Sequence, residues 1–431
     1  MASSPPRFPA EISFLIIDQL AQANDKRALL FYSLVYRSWL PVARAGLFKS
    51  IKVVTAANGR LDAFANFLAR CRDVCPLIHD LTLSCDPAAR LQDRKVPERL
   101  SWPHFRTMVY MLPRLRSLTL EGIFILSDSL NARRLSSDAF ARPTLRSLRM
   151  SGCELHNVDM TDALDLLRIF SEVGNLSFEG SWSMAHTRPF LSISTRTTTI
   201  RHVHFDALGA QATQMLCRFI GAPRGDQLRS VHLTWHSWAE VEAYQSFLGG
   251  CAQNLKHLEL EPTYKFWTCR LSKFSLWSAF SDTLAKCAHL ESLCLHAQCG
   301  YLSFTPGSAR CLLTSLDVYE AFLTHGPPPT LRRFTLKIPI CSKANNSGGR
   351  GWSAMFRAGE ALTPFDSALA AVQSLTSVVL ELQVHEPLVL GASGEEESTL
   401  LIHSALPKIH AKGLLRVDFT SVICREFWQR S

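Results

Sequence analysis

Apolar residues recur along most of this chain in one short frame, apolar-x-x-apolar-x-apolar. LRSLTL from Leu115 and LRSLRM from Leu145 are near copies. IHDLTL from Ile78, VGNLSF from Val173, IRHVHF from Ile200, LRSVHL from Leu228, LKHLEL from Leu255 and LESLCL from Leu290 repeat the frame. LRRFTL from Leu331, LTSVVL from Leu375 and LLRVDF from Leu414 carry looser versions. Successive copies start 27 to 44 residues apart, and five consecutive spacings lie between 27 and 30. The alternating half of each copy predicts a short strand with one apolar face. Stretches between copies, such as TDALDLLRIFSEV and AEVEAYQSFLGGC, have helical spacing. A strand and helix of this length cannot bury an apolar face alone, so the units have to stack. The expected fold is α/β, an irregular solenoid with a parallel sheet on one face and helices on the other.

The L-x-x-L-x-L core resembles the leucine-rich repeat family over about residues 50 to 425. The copies lack the Asn or Cys that follows the strand in that family, which implies irregular turns. SKANNSGGRG (342–351) and GASGEEES (391–398) read as exposed loops from their Gly and Ser content.

The first fifty residues follow a helical period instead. Pro9 suits the first turn of a helix in AEISFLIIDQLA, Asn24 or Asp25 can cap KRALLFYSLV, and Pro41 suits the start of PVARAGLF. Ile12, Ile16, Leu20, Leu29, Leu30, Leu34, Trp39, Val42 and Leu47 exceed what three short helices need among themselves. The surplus is expected to pack on the solenoid and on another protein.

The run FPAEI, with Leu20 and LVYRSW after it, is similar to an F-box. Pro9, Glu11, Ile12, Leu20, Leu34, Val35 and Trp39 fit that pattern, while Phe8 replaces its first Leu and Tyr36 its usual Cys. The resemblance implies docking onto a Skp-family adaptor and, through it, a cullin–RING scaffold, with the repeat domain holding a protein substrate. Carried over residue by residue, the adaptor-binding surface is Phe8, Pro9, Ile12, Ile16, Leu20, Leu34, Val35 and Trp39. Packing inside the helical unit is the other reading of Leu34 and Trp39. The implied function is substrate recognition for a Skp–cullin–F-box ubiquitin ligase, which raises the effective concentration of a substrate lysine and does no bond chemistry itself. The alternative is a non-catalytic repeat scaffold outside any ligase. The expected organisation is a disordered N-terminus (1–6), an F-box-like helical unit (7–50) and the solenoid (51–431).

Strand positions outside the apolar frame would point to the concave face of such a solenoid. In the central copies these are His202, His204 and Asp206; Ser230, His232 and Thr234; His257, Glu259 and Glu261; and Ser292, Cys294 and His296. In register, His204 and His232 would share a column, about 4.8 Å apart. A solvated polar face and a recognition surface are both open readings. Trp182, then Trp235 and Trp238, then Tyr264, Phe266 and Trp267 follow successive strands and would line one edge of the sheet or fill between loops. The candidate substrate-binding set is His202, His204, His232, His257, Trp235, Trp238 and Trp267.

Composition adds exclusions. Hydrophobic content of 47% and charged content of 19% are globular values. No run of 18 apolar residues occurs, and MASSPPRFPA lacks the apolar stretch of a secretory leader, so neither a membrane span nor secretion is expected. Thirteen cysteines without regular spacing predict reduced thiols in a cytoplasmic or nuclear protein. Of the net charge of +9, residues 86–150 supply +6, with 12 Lys/Arg against 6 Asp/Glu. That segment reads as a solvated basic face or, with Arg133, Arg134, Arg146 and Arg149, as a surface for an acidic partner, and no nucleic-acid motif or basic run accompanies it. No phosphate-binding glycine loop, H-E-x-x-H or G-x-S-x-G is present, so no enzyme activity is expected. The run Cys71-x3-Cys75-x3-His79-x5-Cys85 matches no common zinc spacing and reads as structural thiols. No cofactor or metal is expected.

Overall fold

The computed structural model describes residues 10–23, 25–35, 37–55, 60–85, 99–126, 142–151, 166–180, 198–206, 208–220, 227–263, 274–297, 316–317, 319–340, 362–385 and 392–422. The chain forms two compact units, Met1–Thr199 and Ile200–Ser431.

The first unit opens with three helices, α1 (Ala10–Gln22), α2 (Lys26–Val35) and α3 (Leu40–Lys49). Asp25 caps α2, its Oδ1 accepting the Ala28 N–H at 3.0 Å, and Pro41 occupies the first turn of α3. Ile17, Leu29 and Ala43 form the core of the trio, with Leu20, Ala21, Trp39, Val42 and Leu47 packed around them. Gly46 lets α3 approach closely, since a Cβ there would meet Ala21 Cβ at 3.1 Å and Leu29 Cδ1 at 3.2 Å.

Strands follow as β1 (Ser50–Thr55), β2 (Asp80–Cys85), β3 (Arg99–Ser101), β4 (Ser117–Glu121), β5 (Phe124–Leu126), β6 (Thr144–Ser151) and β7 (Glu172–Glu179). β1, β2, β4, β6 and β7 pair in that order, all parallel, while β3 and β5 form a separate parallel pair. The repeat frame fixes the register. Leu81, Leu118, Leu148 and Leu176 make one column, and Leu83, Leu120, Met150 and Phe178 the next. All eight are buried, each worth about 1.5–3 kcal/mol of apolar transfer. β1 was not anticipated: its copy of the frame, FKSIKV, begins at Phe48, which belongs to α3.

In the second unit the strands are β8 (Thr199–Asp206), β9 (Ser230–Trp235), β10 (His257–Pro262), β11 (Ser292–His296), β12 (Arg333–Ile340), β13 (Ser377–His385) and β14 (Leu415–Val422). They too pair in chain order and in parallel. Val203, Val231, Leu258, Leu293, Phe334 and Val378 form a buried column. The last copy departs from the frame. Val378 pairs with Leu415, not with Val417, so the pairing of LLRVDF is offset by two residues. A slip of two keeps each side chain on its own face, which is why the pattern still looked right.

Helices Ala210–Ile220, Trp238–Cys251, Phe274–Ala285, Thr363–Ala371, Ala392–Ala405 and Pro407–Ala411 connect these strands. Aromatic contacts join the layers: Phe205 of β8 lies 6.3 Å from Tyr244 and 6.1 Å from Phe247, ring centroid to ring centroid. Each unit is therefore α/β and solenoid-like, as expected. One detail is corrected. Residues 392–398, expected as loop, begin the helix Ala392–Ala405, where Glu395 in the first turn complements the helix dipole. Residues 1–6 and the expected loop at 342–351 lie outside the described residues. No helix among the described residues is long and apolar enough to cross a membrane.

Candidate functional site

Alternation along β8 to β12 sends Val, Leu and Phe to the helix side and leaves polar residues on the other face. Backbone pairing sorts these into columns. His202, Ser230, His257, Ser292 and Arg333 form the first. His204, His232, Glu259, Cys294 and Thr335 form the second; Asp206, Thr234 and Glu261 pair in a third, and His296 pairs with Lys337 one residue beyond the Leu260–Leu295 pair.

His204 and His232 are neighbours as anticipated, stacked with ring centroids 4.2 Å apart and planes 11° from parallel. His202 and His257 share a column with Ser230 between them. Burial holds the His202 imidazole below its ordinary pKa, and His257 and Arg201 add to the effect.

The densest grouping lies on β9, β10 and β11. His232 Nε2 is 3.2 Å from Glu261 Oε2, and its Nδ1 is 3.9 Å from Glu259 Oε2. His296 Nε2 is 2.7 Å from Glu259 Oε1, and its Nδ1 is 3.9 Å from Glu261 Oε1. Lys337 Nζ donates to Glu259 Oε1 at 2.6 Å, and the Cys294 thiol to the same oxygen at 3.7 Å. From below, the buried Tyr319 hydroxyl donates to the His296 carbonyl at 2.7 Å.

Electrostatics follow from this packing. Burial alone would raise the Glu259 carboxyl, but hydrogen bonds from His296 and Lys337 and the nearby His232 hold it well below the usual carboxylate range. Glu261 is likewise pushed up by burial, and its contacts with His232 and His296 outweigh that, bringing it to about 2. Burial and the Glu259 charge drive the Cys294 thiol far above its ordinary value. Both glutamates are thus fixed anions, whereas Cys294 holds its proton.

Other expected substrate contacts fare differently. Trp235 is only 1% exposed and lies in the core, its ring 6.2 Å from Tyr244 and 6.4 Å from Phe280. The reason is parity, because Trp235 is two residues beyond the inward-facing Leu233. Trp238 is half-buried at the start of its helix. Trp182, Tyr264, Phe266 and Trp267 lie outside the described residues. The sequence reading left Lys337 out and did not single out Glu259, Glu261 and His296 among the face positions. Lys337 stands one residue past the last apolar position of its copy, as Glu261 and His296 do in theirs, so the same alternation carried into the Leu331 copy places it on this face.

Of the expected adaptor contacts, Ile12, Ile16, Leu34 and Val35 are exposed on α1 and α2. Leu34 is the extreme, at 78%. Leu20 and Trp39 are partly buried and pack on the Ile17–Leu29–Ala43 core. Phe8 and Pro9 lie outside the described residues. Phe14, Leu15, Leu30, Phe31 and Leu40 add further exposed apolar area. Of the four arginines expected to suit an acidic partner, Arg149 pairs with Glu179 at 2.6 Å, Arg146 is exposed, and Arg133 and Arg134 lie outside the described residues. Cys75 behaves as a structural thiol, donating to the Leu68 carbonyl at 3.5 Å.

A comparison with protein-family models finds no match for the chain, and a comparison with curated proteins finds none either.

Proposed function

We propose that the chain is a substrate-recognition adaptor of a Skp–cullin–F-box ubiquitin ligase, working in the cytoplasm or nucleus. In this reading α1–α3 are the F-box, and the strand-and-helix units are leucine-rich-repeat-like. The supporting observation is the apolar surface of the first two helices. Ile12, Leu15 and Ile16 follow i, i+3, i+4 spacing on α1, while Leu30 with Leu34 and Phe31 with Val35 follow i, i+4 spacing on α2. The trio closes its own core with Ile17, Leu29 and Ala43, so this surface is surplus to folding. Clustered exposed apolar groups are the mark of a protein interface.

The chain itself would do no bond chemistry. It would hold a protein substrate on the polar strand face or the loops around it, while the Skp-family adaptor and cullin–RING scaffold bring the ubiquitin-loaded enzyme within reach. Neither membrane nor nucleic acid enters this reading.

Calorimetry of the full chain with a purified Skp-family adaptor tests it. Binding of the native chain, weakened at least about tenfold (about 1.4 kcal/mol) by Leu34→Asp or by the pair Ile12→Ala and Ile16→Ala, is the expected outcome. A folded chain that does not bind the adaptor overturns the reading. Binding without recruitment of a cullin would leave a scaffold outside the ligase.

A further inference from the structure

We propose that His232, Glu261 and His296 form a binding site for a divalent transition-metal ion of the zinc class, with Glu259 orienting the His296 imidazole. The ligand atoms of the three residues lie within 4.8 Å of one another. His232 and His296 stand two strands apart, a backbone separation of about 10 Å. Their rings nevertheless lean together over the intervening strand, with centroids 6.0 Å apart and planes 22° from parallel. Glu261 rises between them, 3.2 Å from His232 Nε2 and 3.9 Å from His296 Nδ1. Two imidazoles and a carboxylate are a donor set that zinc accepts at about 2.0–2.2 Å. Side-chain adjustments of about 1 Å would bring the three donors to the edge lengths of a tetrahedron of that size.

The remaining ring nitrogen of His296 strengthens the assignment. A histidine that binds metal through one nitrogen usually gives the other to a carboxylate. Glu259 is so placed for His296, 2.7 Å from its Nε2, while His232 Nδ1 lies 3.9 Å away, beyond hydrogen-bond reach. Lys337 balances the Glu259 charge, which leaves Glu261 as the anionic ligand. A rival grouping, Glu259, Cys294 and His296, is equally compact. It is the poorer choice, because Lys337 and the Cys294 thiol already donate to the same Glu259 oxygen, at 2.6 and 3.7 Å. Three protein ligands on a partly exposed face leave the fourth zinc position to water or to a donor from a bound partner. The site does not depend on the ligase reading.

The test uses the full chain, free of any histidine tag and fully reduced, titrated with zinc chloride by calorimetry with a competing chelator. One bound zinc is expected, with an X-ray absorption spectrum showing nitrogen and oxygen neighbours at about 2.0–2.1 Å. Glu259→Gln should weaken binding about 10- to 100-fold, and His232→Ala and His296→Ala by more than that. Cys294→Ser should leave the affinity unchanged. Three results would overturn the proposal: no stoichiometric zinc on the folded native chain, a sulfur shell near about 2.3 Å, or native affinity in His232→Ala. Should His296→Ala fail to fold by circular dichroism, the native spectrum and the more exposed His232→Ala decide the matter.

Discussion

His232 stacks on His204 across two parallel strands, with ring centroids 4.2 Å apart. Near-parallel rings at that distance contribute through face-to-face dispersion, which a phenyl ring also supplies. His204→Phe should therefore keep the urea-unfolding midpoint near that of the native chain, whereas His204→Ala should lose about 0.5–1.5 kcal/mol. Equal midpoints for the two variants would show that the stack carries no stability.

The glutamates of the same face set a pH dependence. Glu261 titrates at about 2 in the folded chain, against about 4.3 for an unfolded glutamate. A carboxyl lowered on folding contributes stability that is complete above its unfolded pKa and is lost as pH falls through the folded one. The groups facing it are His232, His296, Thr234 and Glu259. Unfolding measured from pH 6 downward should show the native chain weakening below about pH 5 more steeply than Glu261→Gln. Parallel curves would mean that these contacts do not distinguish folded from unfolded protein.

Glu240 joins two loops from within the core. Only 1% exposed, it accepts the Gly209 N–H at 2.9 Å on Oε1 and the N–H groups of His236 and Ser237 at 2.6 and 2.9 Å on Oε2. Gly209 can offer its N–H there because it holds a left-handed backbone, φ +82°. Glu240→Ala should cost about 3 kcal/mol, as these three N–H donors and the Ser237 hydroxyl lose a charged acceptor. A thermal melt within a degree of the native chain would contradict that account.

Two leucines of α2 separate folding from binding. Leu29 is buried against Ile17 and Ala43, so Leu29→Ala should destabilise by about 2–5 kcal/mol. Leu34→Ala should change stability by under about 0.5 kcal/mol while weakening adaptor binding. Equal destabilisation by both would place Leu34 inside a packed structure and remove it from the interface.

Much of the strand arrangement was legible because one residue class recurs at one spacing. Leu118, Leu148 and Leu176 could be aligned by eye, and they pair in register. β1 escaped because its leading apolar position is taken by the end of α3. The histidine–glutamate grouping was only half visible. Each member sat on a named face position, but His232, Glu261 and His296 lie about thirty residues apart, and their convergence depends on side chains leaning across strands. Trp235 was misplaced by weighing residue type over parity, since a large aromatic can serve equally as anchor or filler.

Within each unit the strands of the main sheet lie side by side in chain order, with β3 and β5 paired apart from them, whatever the length of the connections. The copies from Leu228 to Leu375 are separated by 27, 35, 41 and 44 residues, yet their columns stay aligned. Length is thus decoupled from register. A connection can gain or lose a dozen residues at a small entropic cost, because loop closure grows only with the logarithm of length. Such a chain can vary what it presents around the strand face while the scaffold beneath stays the same.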